Sequence, residues 1–433
     1  GHPALKAVSP QAPILDWFKG DDVHHNGALM LMDIYSFAPY MFKKHDNPVE
    51  EDHGLPSPIG PDAYSWFLYQ VTPANMTAAL PDTLQFWNEI LEHPDYDEYW
   101  KERSLEPHLK GIEPAILVVG GEFDTDDCYG ALNTYKLIRD NSPQTDLHFV
   151  YGPWTHGGWH NADYEGLGDR KFGKNLSRYF MEKIEYPFFR YYLEGKGKRP
   201  EPVYLFASGS EEWQVMEKWP ADGIDYTPLY LSENSSLSFD QPLELQSSAT
   251  YISDPLSPVP FMEDASRRNN AYMVADQTFA SMRSDVLTYT SPVIEETLKL
   301  HGPLQVRLDL AISSEDADIV VKFIDVHPDG YQMLVRGDVF PIRYRYGYDK
   351  PVKANPGEIV HLEFKMNDIA HWILPGHKMM IQVQSTWFPL VNLNPQTYLT
   401  NIYEADREDY ISSEITIYHQ KDAPSHIVLP ILR

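Results

Sequence analysis

A single cysteine in 433 residues, Cys128, excludes an internal disulfide framework and any zinc site built on several thiolates. It falls among apolar residues of an expected helix, so it reads as a packed thiol rather than a nucleophile. Basic residues are scarce: 35 Lys and Arg stand against 63 Asp and Glu, a formal charge of −28. A chain this acidic is repelled by phosphate backbones, so nucleic acid is not an expected partner. No apolar run approaches the roughly 20 residues of a membrane-spanning helix, so no membrane partner is expected either. The sequence also lacks an internal repeat, a low-complexity tract and a Gly-x-Ser-x-Gly elbow. It begins Gly1-His2-Pro3-Ala4-Leu5 with neither Met nor a signal-peptide pattern, so this end leaves the compartment unreadable.

What is present is a globular composition, 42% hydrophobic and 13% aromatic, long enough for about two or three domains. Two apolar runs carry most information. Ala115-Ile116-Leu117-Val118-Val119 leads into Gly120-Gly121-Glu122-Phe123-Asp124, and Leu147-His148-Phe149-Val150-Tyr151 leads into Gly152-Pro153-Trp154-Thr155-His156. Each reads as a buried strand, with a helix carrying Cys128, Leu132 and Tyr135 between them. An acid at one strand end and a histidine at the next is the order in which α/β-hydrolases deliver the last two members of a triad. The nucleophile is then expected upstream of Asp124, where no elbow occurs.

The organisation around this pair is uneven. Residues 4–15 read as a helix end running into a strand. From 21 to 113 aromatics, Met, Pro and His are dense, and helices are expected from Asp82 to Leu91 and Tyr96 to Leu105. A helix over about 171–193 precedes Gly195-Lys196-Gly197-Lys198-Arg199-Pro200, which reads as a linker. Beyond it Val306/Leu308/Leu310, Val360/Leu362/Phe364 and Ile381/Val383 alternate with polar residues, which implies an antiparallel sandwich or jelly roll.

Several motifs, in this order, resemble the family of cocaine esterase, glutaryl-7-aminocephalosporanic acid acylase, α-amino acid ester hydrolases and X-prolyl dipeptidyl peptidases. They are His2-Pro3-Ala4-Leu5-Lys6-Ala7-Val8-Ser9-Pro10, Gly20-Asp21-Asp22, Gly152-Pro153-Trp154-Thr155-His156, Pro187-Phe188-Phe189 and Gln382-Val383-Gln384-Ser385. The run Trp387-Phe388-Pro389-Leu390 with Asn394-Pro395-Gln396-Thr397 looks most like the ester hydrolase and glutaryl acylase branch. The resemblance implies an α/β plus all-β chain: a partial α/β-hydrolase fold with a helical cap, then a C-terminal jelly-roll β-sandwich. The expected divisions are a core strand at 1–20, the cap at 21–113, the second half of the core at 114–198 and the jelly roll at 199–433. It further implies a Ser-His-Asp hydrolase of esters or amides, with Asp124 as acid and His156 as base. The family's serine and oxyanion hole map before His2, so these 433 residues are expected to be inactive alone. The family suggests a periplasmic or secreted setting and no cofactor.

Each residue also has a plainer reading. Asp124, Asp126 and Asp127 precede a helix and could simply cap it. Trp154 and Trp159 flank His156, either lining an acyl pocket or packing it. Asp95, Asp97 and Glu98 are candidates for recognising a substrate ammonium, against solvated helix-end acids. His24-His25 and His156/His160 lack an acidic third ligand at diagnostic spacing, so no metal is expected there. The rival functions are a non-catalytic β-sandwich that binds carbohydrate or protein, and association with a second copy through an exposed sheet edge.

Overall fold

The computed structural model describes residues 2–41, 57–80 and 84–433. Its α/β part is a five-stranded sheet in the order β1 (Ala7–Val8), β2 (Ala115–Gly121), β3 (Leu147–Gly152), β4 (Val203–Ala207) and β5 (Glu212–Met216). The first four strands run parallel and β5 returns antiparallel. β2 and β4 are buried at every position and β3 at all but its first. Central parallel strands are covered on both faces, which is why they read as unbroken apolar runs.

Among the described residues five α-helices precede β2: α1 (Leu31–Met41), α2 (Ala63–Gln70), α3 (Pro73–Ala78), α4 (Gln85–Glu92) and α5 (Glu98–Lys101). Asp62 caps α2 by accepting from the Ser65 amide, and Thr72 caps α3 ahead of Pro73, whose missing N–H costs nothing at a first helical position. Asp82, the expected start of the fourth helix, lies outside the described residues. From Leu84 onward the buried face is Leu84, Trp87 and Ile90, with Leu91 at its margin. The Trp87 ring stands edge-on to Tyr35 of α1 at 5.2 Å, and its N–H donates to Thr77 of α3 at 2.8 Å. The helix expected from Tyr96 to Leu105 shrinks to the four residues of α5.

Between β2 and β3 runs α6 (Cys128–Asn141), which buries Ala131, Leu132, Tyr135 and Ile138 on the sheet. Tyr135 stacks on Phe149 of β3 at 4.7 Å. A helix spanning 176–194, with a π turn at Phe180–Glu185, ends on Gly195 in a left-handed cap. The glycine-rich run after it is therefore a helix-to-strand turn. β4 and β5 follow inside the α/β sheet, which extends past the expected boundary at 198.

Most of the remaining chain forms a 14-stranded, almost wholly antiparallel β unit. Its strands include β6 (Asp318–Val326), β7 (Gln332–Pro341), β8 (Ile369–Ile373) and β9 (Lys378–Gln384). Residues 360–365 alternate buried and exposed at every step, as their sequence suggests. In β9, by contrast, Gln382 and Gln384 are buried along with Ile381 and Val383; their amides donate to Gln277 and Thr386 carbonyls. The two parts are stitched together: Ser208, just after β4, donates its amide to Ala370 of β8, and Trp372 donates back to Ser208. The cap sits on the buried loop 387–396 through Met32 N–H to Pro389 and Asn392 N–H to Leu29.

Gly130 in α6 is where the N-terminal segment meets the sheet. Its N–H donates to Asp21 at 2.6 Å, and a Cβ there would stand 1.9 Å from the Pro13 carbonyl oxygen. Gly130→Ala is expected to destabilise the fold by about 1–3 kcal/mol, the usual cost of overpacking against backbone. Urea denaturation checks this, and an unchanged midpoint would refute the close approach.

Candidate active site

β2 and β3 pair in register up to Gly121 opposite Gly152, so both following loops leave from one edge of the sheet. The loops cross closely. Phe123 N–H donates to the Trp154 carbonyl at 3.0 Å, and a Cβ on Gly121 would lie 2.3 Å from that same oxygen. The crossing brings Asp124 Oδ2 within 3.3 Å of His156 Nδ1. Asp127 Oδ2 lies 3.1 Å from the same nitrogen. The other oxygen of Asp124 accepts the amides of Asp126 and Asp127 at 3.1 and 3.3 Å. Asp124 thus holds the turn into α6 with one oxygen and sets the other, buried and without a hydrogen-bond partner among the described residues, beside the imidazole. Asp127 occupies the N-cap position of α6 without capping it, its carboxylate going to His156 instead. The imidazole is half exposed, and among the described residues no serine, threonine or cysteine bonds to it.

More carboxylates crowd this edge. Asp22 reaches it from a left-handed backbone position, φ 43°, held by its N–H to the Asp126 carbonyl at 2.9 Å. That conformation is better tolerated by Asp than by most residues. Asp21 behind it is fully buried and accepts the amides of Leu15, Asp16 and Gly130. Asp33 of α1 and Asp126 share the guanidinium of Arg268, at 2.6 and 3.1 Å. Burial, then the charge of Asp127, pushes Asp22 up to about 7. Burial, then the charge of Asp33, pushes Asp126 up to about 8. Burial also raises Asp127, against the pull of His156. His156 is drawn up to about 11 by its pairing with Asp124, then with Asp127, which outweighs its desolvation. Asp127 Oδ1 is buried without a hydrogen-bond partner among the described residues. Acidic side chains outnumber basic ones in this cluster. Asp124, Asp126 and His156 also offer ligand atoms within 4.8 Å of one another, a donor set able to hold a cation.

The remaining candidates fall elsewhere. Trp154 is fully buried, donates to Ser177 at 3.0 Å and packs on Phe180 and Trp213, so it braces the histidine loop from behind. Trp159 lies beside the imidazole, ring centres 6.0 Å apart, and donates to Gln11 at 2.8 Å. Asp97 caps α5 and pairs with His93 at 2.6 Å, while exposed Glu98 pairs with Lys101; neither touches Asp124 or His156. Asp95 accepts from the Tyr344 hydroxyl. Both ring nitrogens of His24 are engaged in the core, by Trp17 and Tyr403, and burial drives it down to about 3. His160 pairs with Glu185. Cys128 contacts the Tyr151 hydroxyl at 3.0 Å, and burial raises its thiol to about 11, a poor nucleophile. Sequence reasoning missed Asp22, Asp33 and Arg268 as site residues and gave Asp126 or Asp127 the role of a helix cap. Gly20-Asp21-Asp22 was a usable signal; Asp33 and Arg268 carried none.

Residues 1–158 match the model of X-Pro dipeptidyl-peptidase (S15 family), and residues 186–428 that of the X-Pro dipeptidyl-peptidase C-terminal non-catalytic domain. The chain belongs to this family. It is 30% identical over 361 residues to cocaine esterase from Rhodococcus sp. (strain MB1 Bresler), covering 80% of this chain and 61% of that protein. A putative serine esterase of Mycobacterium bovis is 23% identical over 308 residues, 46% of its length. The chain thus spans about half to three fifths of these curated relatives. Among solved structures, an aminopeptidase from a marine sediment Thaumarchaeota archaeon superposes with TM-score 0.93 at 31% identity, covering 100% of this chain and 73% of that one. An α-amino acid ester hydrolase gives 0.91 at 31%, covering 99% and 73%. Asp124 and His156 both lie in the segment that matches the S15 peptidases.

Two outcomes follow from the charge balance. Asp127→Asn should lower the His156 titration midpoint by about 1–3 units, read by NMR of the imidazole, since one of two adjacent charges is removed. Asp22 and Asp126 are raised above the ordinary carboxylate value. The stability tied to their neutral forms is full below about pH 4 and lost as pH climbs through 7 to 8. Asp22→Asn should therefore raise Tm more at pH 9 than at pH 5.

Proposed function

We propose that these residues supply the acid, the base and an ammonium-binding pocket of a serine hydrolase that cleaves esters or amides beside a free α-amino group. The observation that carries this is the His156 imidazole, paired through Nδ1 with Asp124 and Asp127 and half exposed on its other side. A serine hydroxyl becomes nucleophilic only when such a base takes its proton, and a buried acid fixes the ring for that step. The serine and the oxyanion donors come from polypeptide outside residues 1–433, and this chain alone is inactive. In the division that best suits this reading, the cap covers residues 21–113 and the C-terminal β unit is a jelly roll.

Asp22, Asp126 and Asp127 give the pocket its selectivity. An ammonium among them satisfies the orphaned Asp127 oxygen and offsets the repulsion that burial imposes. It also withdraws Asp127 charge from His156, easing the ring toward the neutral form that general-base catalysis requires. The names of the two similar structures, an aminopeptidase and an α-amino acid ester hydrolase, fit a substrate with a free α-amino group. A purely binding β-sandwich leaves the paired imidazole without a role.

The test uses the catalytically complete protein, with a p-nitrophenyl ester of an α-amino acid and its des-amino analogue. His156→Ala should abolish turnover of both. Asp127→Asn should lower kcat/KM for the amino ester at least about tenfold, since a charge-assisted hydrogen bond is worth about 1.5–3 kcal/mol, and change the des-amino ester far less. Equal losses on both esters would remove the ammonium pocket. Turnover by residues 1–433 alone, lost on His156→Ala, would place the nucleophile inside them.

A further inference from the structure

A second cluster of ionisable side chains sits where β4 of the α/β sheet abuts the β unit, within the segment that matches the non-catalytic family domain. Asp325, near the end of β6, is buried. Its Oδ1 lies 2.7 Å from His377 Nδ1, in the turn before β9. Its Oδ2 lies 3.1 Å from His371 Nε2 of β8 and 3.7 Å from His327 Nε2, two residues further along its own chain. The His327 and His377 rings are 4.6 Å apart. Asp325, His327 and His377 each offer a ligand atom within 4.8 Å of the others.

Three features set this cluster apart from an ordinary buried ion pair. First, His327 Nε2 is buried without any hydrogen-bond partner among the described residues, yet it faces a carboxylate at a distance too long for a hydrogen bond. Second, one ligand atom from each of Asp325, His327 and His377 lies within 4.8 Å of the other two, close enough for all three to meet a single ion. Third, the carboxylate is already oriented from outside. His371 contacts its Oδ2, and the other nitrogen of that ring lies 2.9 Å from the Ser208 hydroxyl, which also donates to the Ala370 carbonyl. Hydrogen-bonded partners of this kind fix ligand carboxylates in metal sites.

The nearby Arg170 guanidinium is neutralised by Glu211 at 2.7 Å.

We propose that Asp325, His327 and His377 bind a zinc ion, with His371 and Ser208 as positioning residues and water completing the coordination. Two nitrogens and one oxygen suit zinc better than calcium or magnesium, which prefer oxygen ligands. With His377 and His327 only 12% and 15% exposed, the ion is reached from a narrow opening. It ties the β6–β7 turn to the turn before β9. Through His371 and Ser208 it also braces the seam between the α/β sheet and the β unit. Nothing in this site depends on the reading of Asp124 and His156.

The experiment titrates the chelator-treated 433-residue chain with zinc chloride by calorimetry, and with Co2+ for its visible bands. The expected result is about one zinc bound, tetrahedral-type Co2+ absorption, and a Tm that rises with zinc because the ion binds the folded state only. His327→Gln and His377→Gln should each abolish both the bands and the Tm rise. His371→Gln should weaken binding about 10–100-fold. His156→Ala controls for the carboxylate cluster and should leave zinc binding and the zinc-dependent Tm rise intact. Absence of zinc binding, binding indifferent to His327→Gln and His377→Gln, or binding lost in His156→Ala would each overturn the proposal. Circular dichroism of every variant without metal identifies one that has merely unfolded; for that variant the Asp325→Asn chain, isosteric and uncharged, takes its place.

Discussion

Parallel pairing of two buried strands is the constraint from which the rest follows. Because β2 and β3 run side by side in register, the side chains just beyond their ends cannot avoid each other. Glycines at both ends let the two loops pass at backbone contact, and that closeness sets Asp124 against His156. Ligand chemistry in open α/β sheets concentrates at this strand edge for the same reason. The helix between the strands then presents the Asp127 carboxylate to the same ring.

Charge accumulates there at a cost. Buried carboxylates repel one another; among the described residues Arg268, His156 and, at longer range, His25 stand against them. A protein that keeps such a cluster spends folding stability on it, and strongly perturbed acids beside a histidine are a common mark of function. The cap matters because it brings Asp33 on α1, and the β unit because it brings Arg268. Segment 29–32 and loop 387–396 are joined by the Met32 amide on the Pro389 carbonyl and the Asn392 amide on the Leu29 carbonyl.

Much of the fold was legible. Unbroken apolar runs marked β2 and β3, the Cys128/Leu132/Tyr135 face marked α6, and strict alternation marked residues 360–365. Legibility failed where one signal had two causes. The glycine-rich run after 194 looked like an interdomain linker because a helix cap and a linker use the same residues. Asp126 and Asp127 looked like helix caps because they stand where caps stand, although Asp127 bonds to an imidazole. Asp97, taken as a candidate for ammonium recognition, does cap, in α5.

By itself the sequence determined the strand-end placement of Asp124 and His156, the excess of negative charge and the family resemblance, because each is written in local runs or in composition. Only the tertiary structure decided which carboxylates gather round His156 and which histidines surround Asp325. Most of those partners come from segments tens to hundreds of residues apart, such as Asp33 with Arg268 and Asp325 with His377. Local periodicity reports which face of an element is buried; it does not report what lies opposite, and electrostatics depends on what lies opposite.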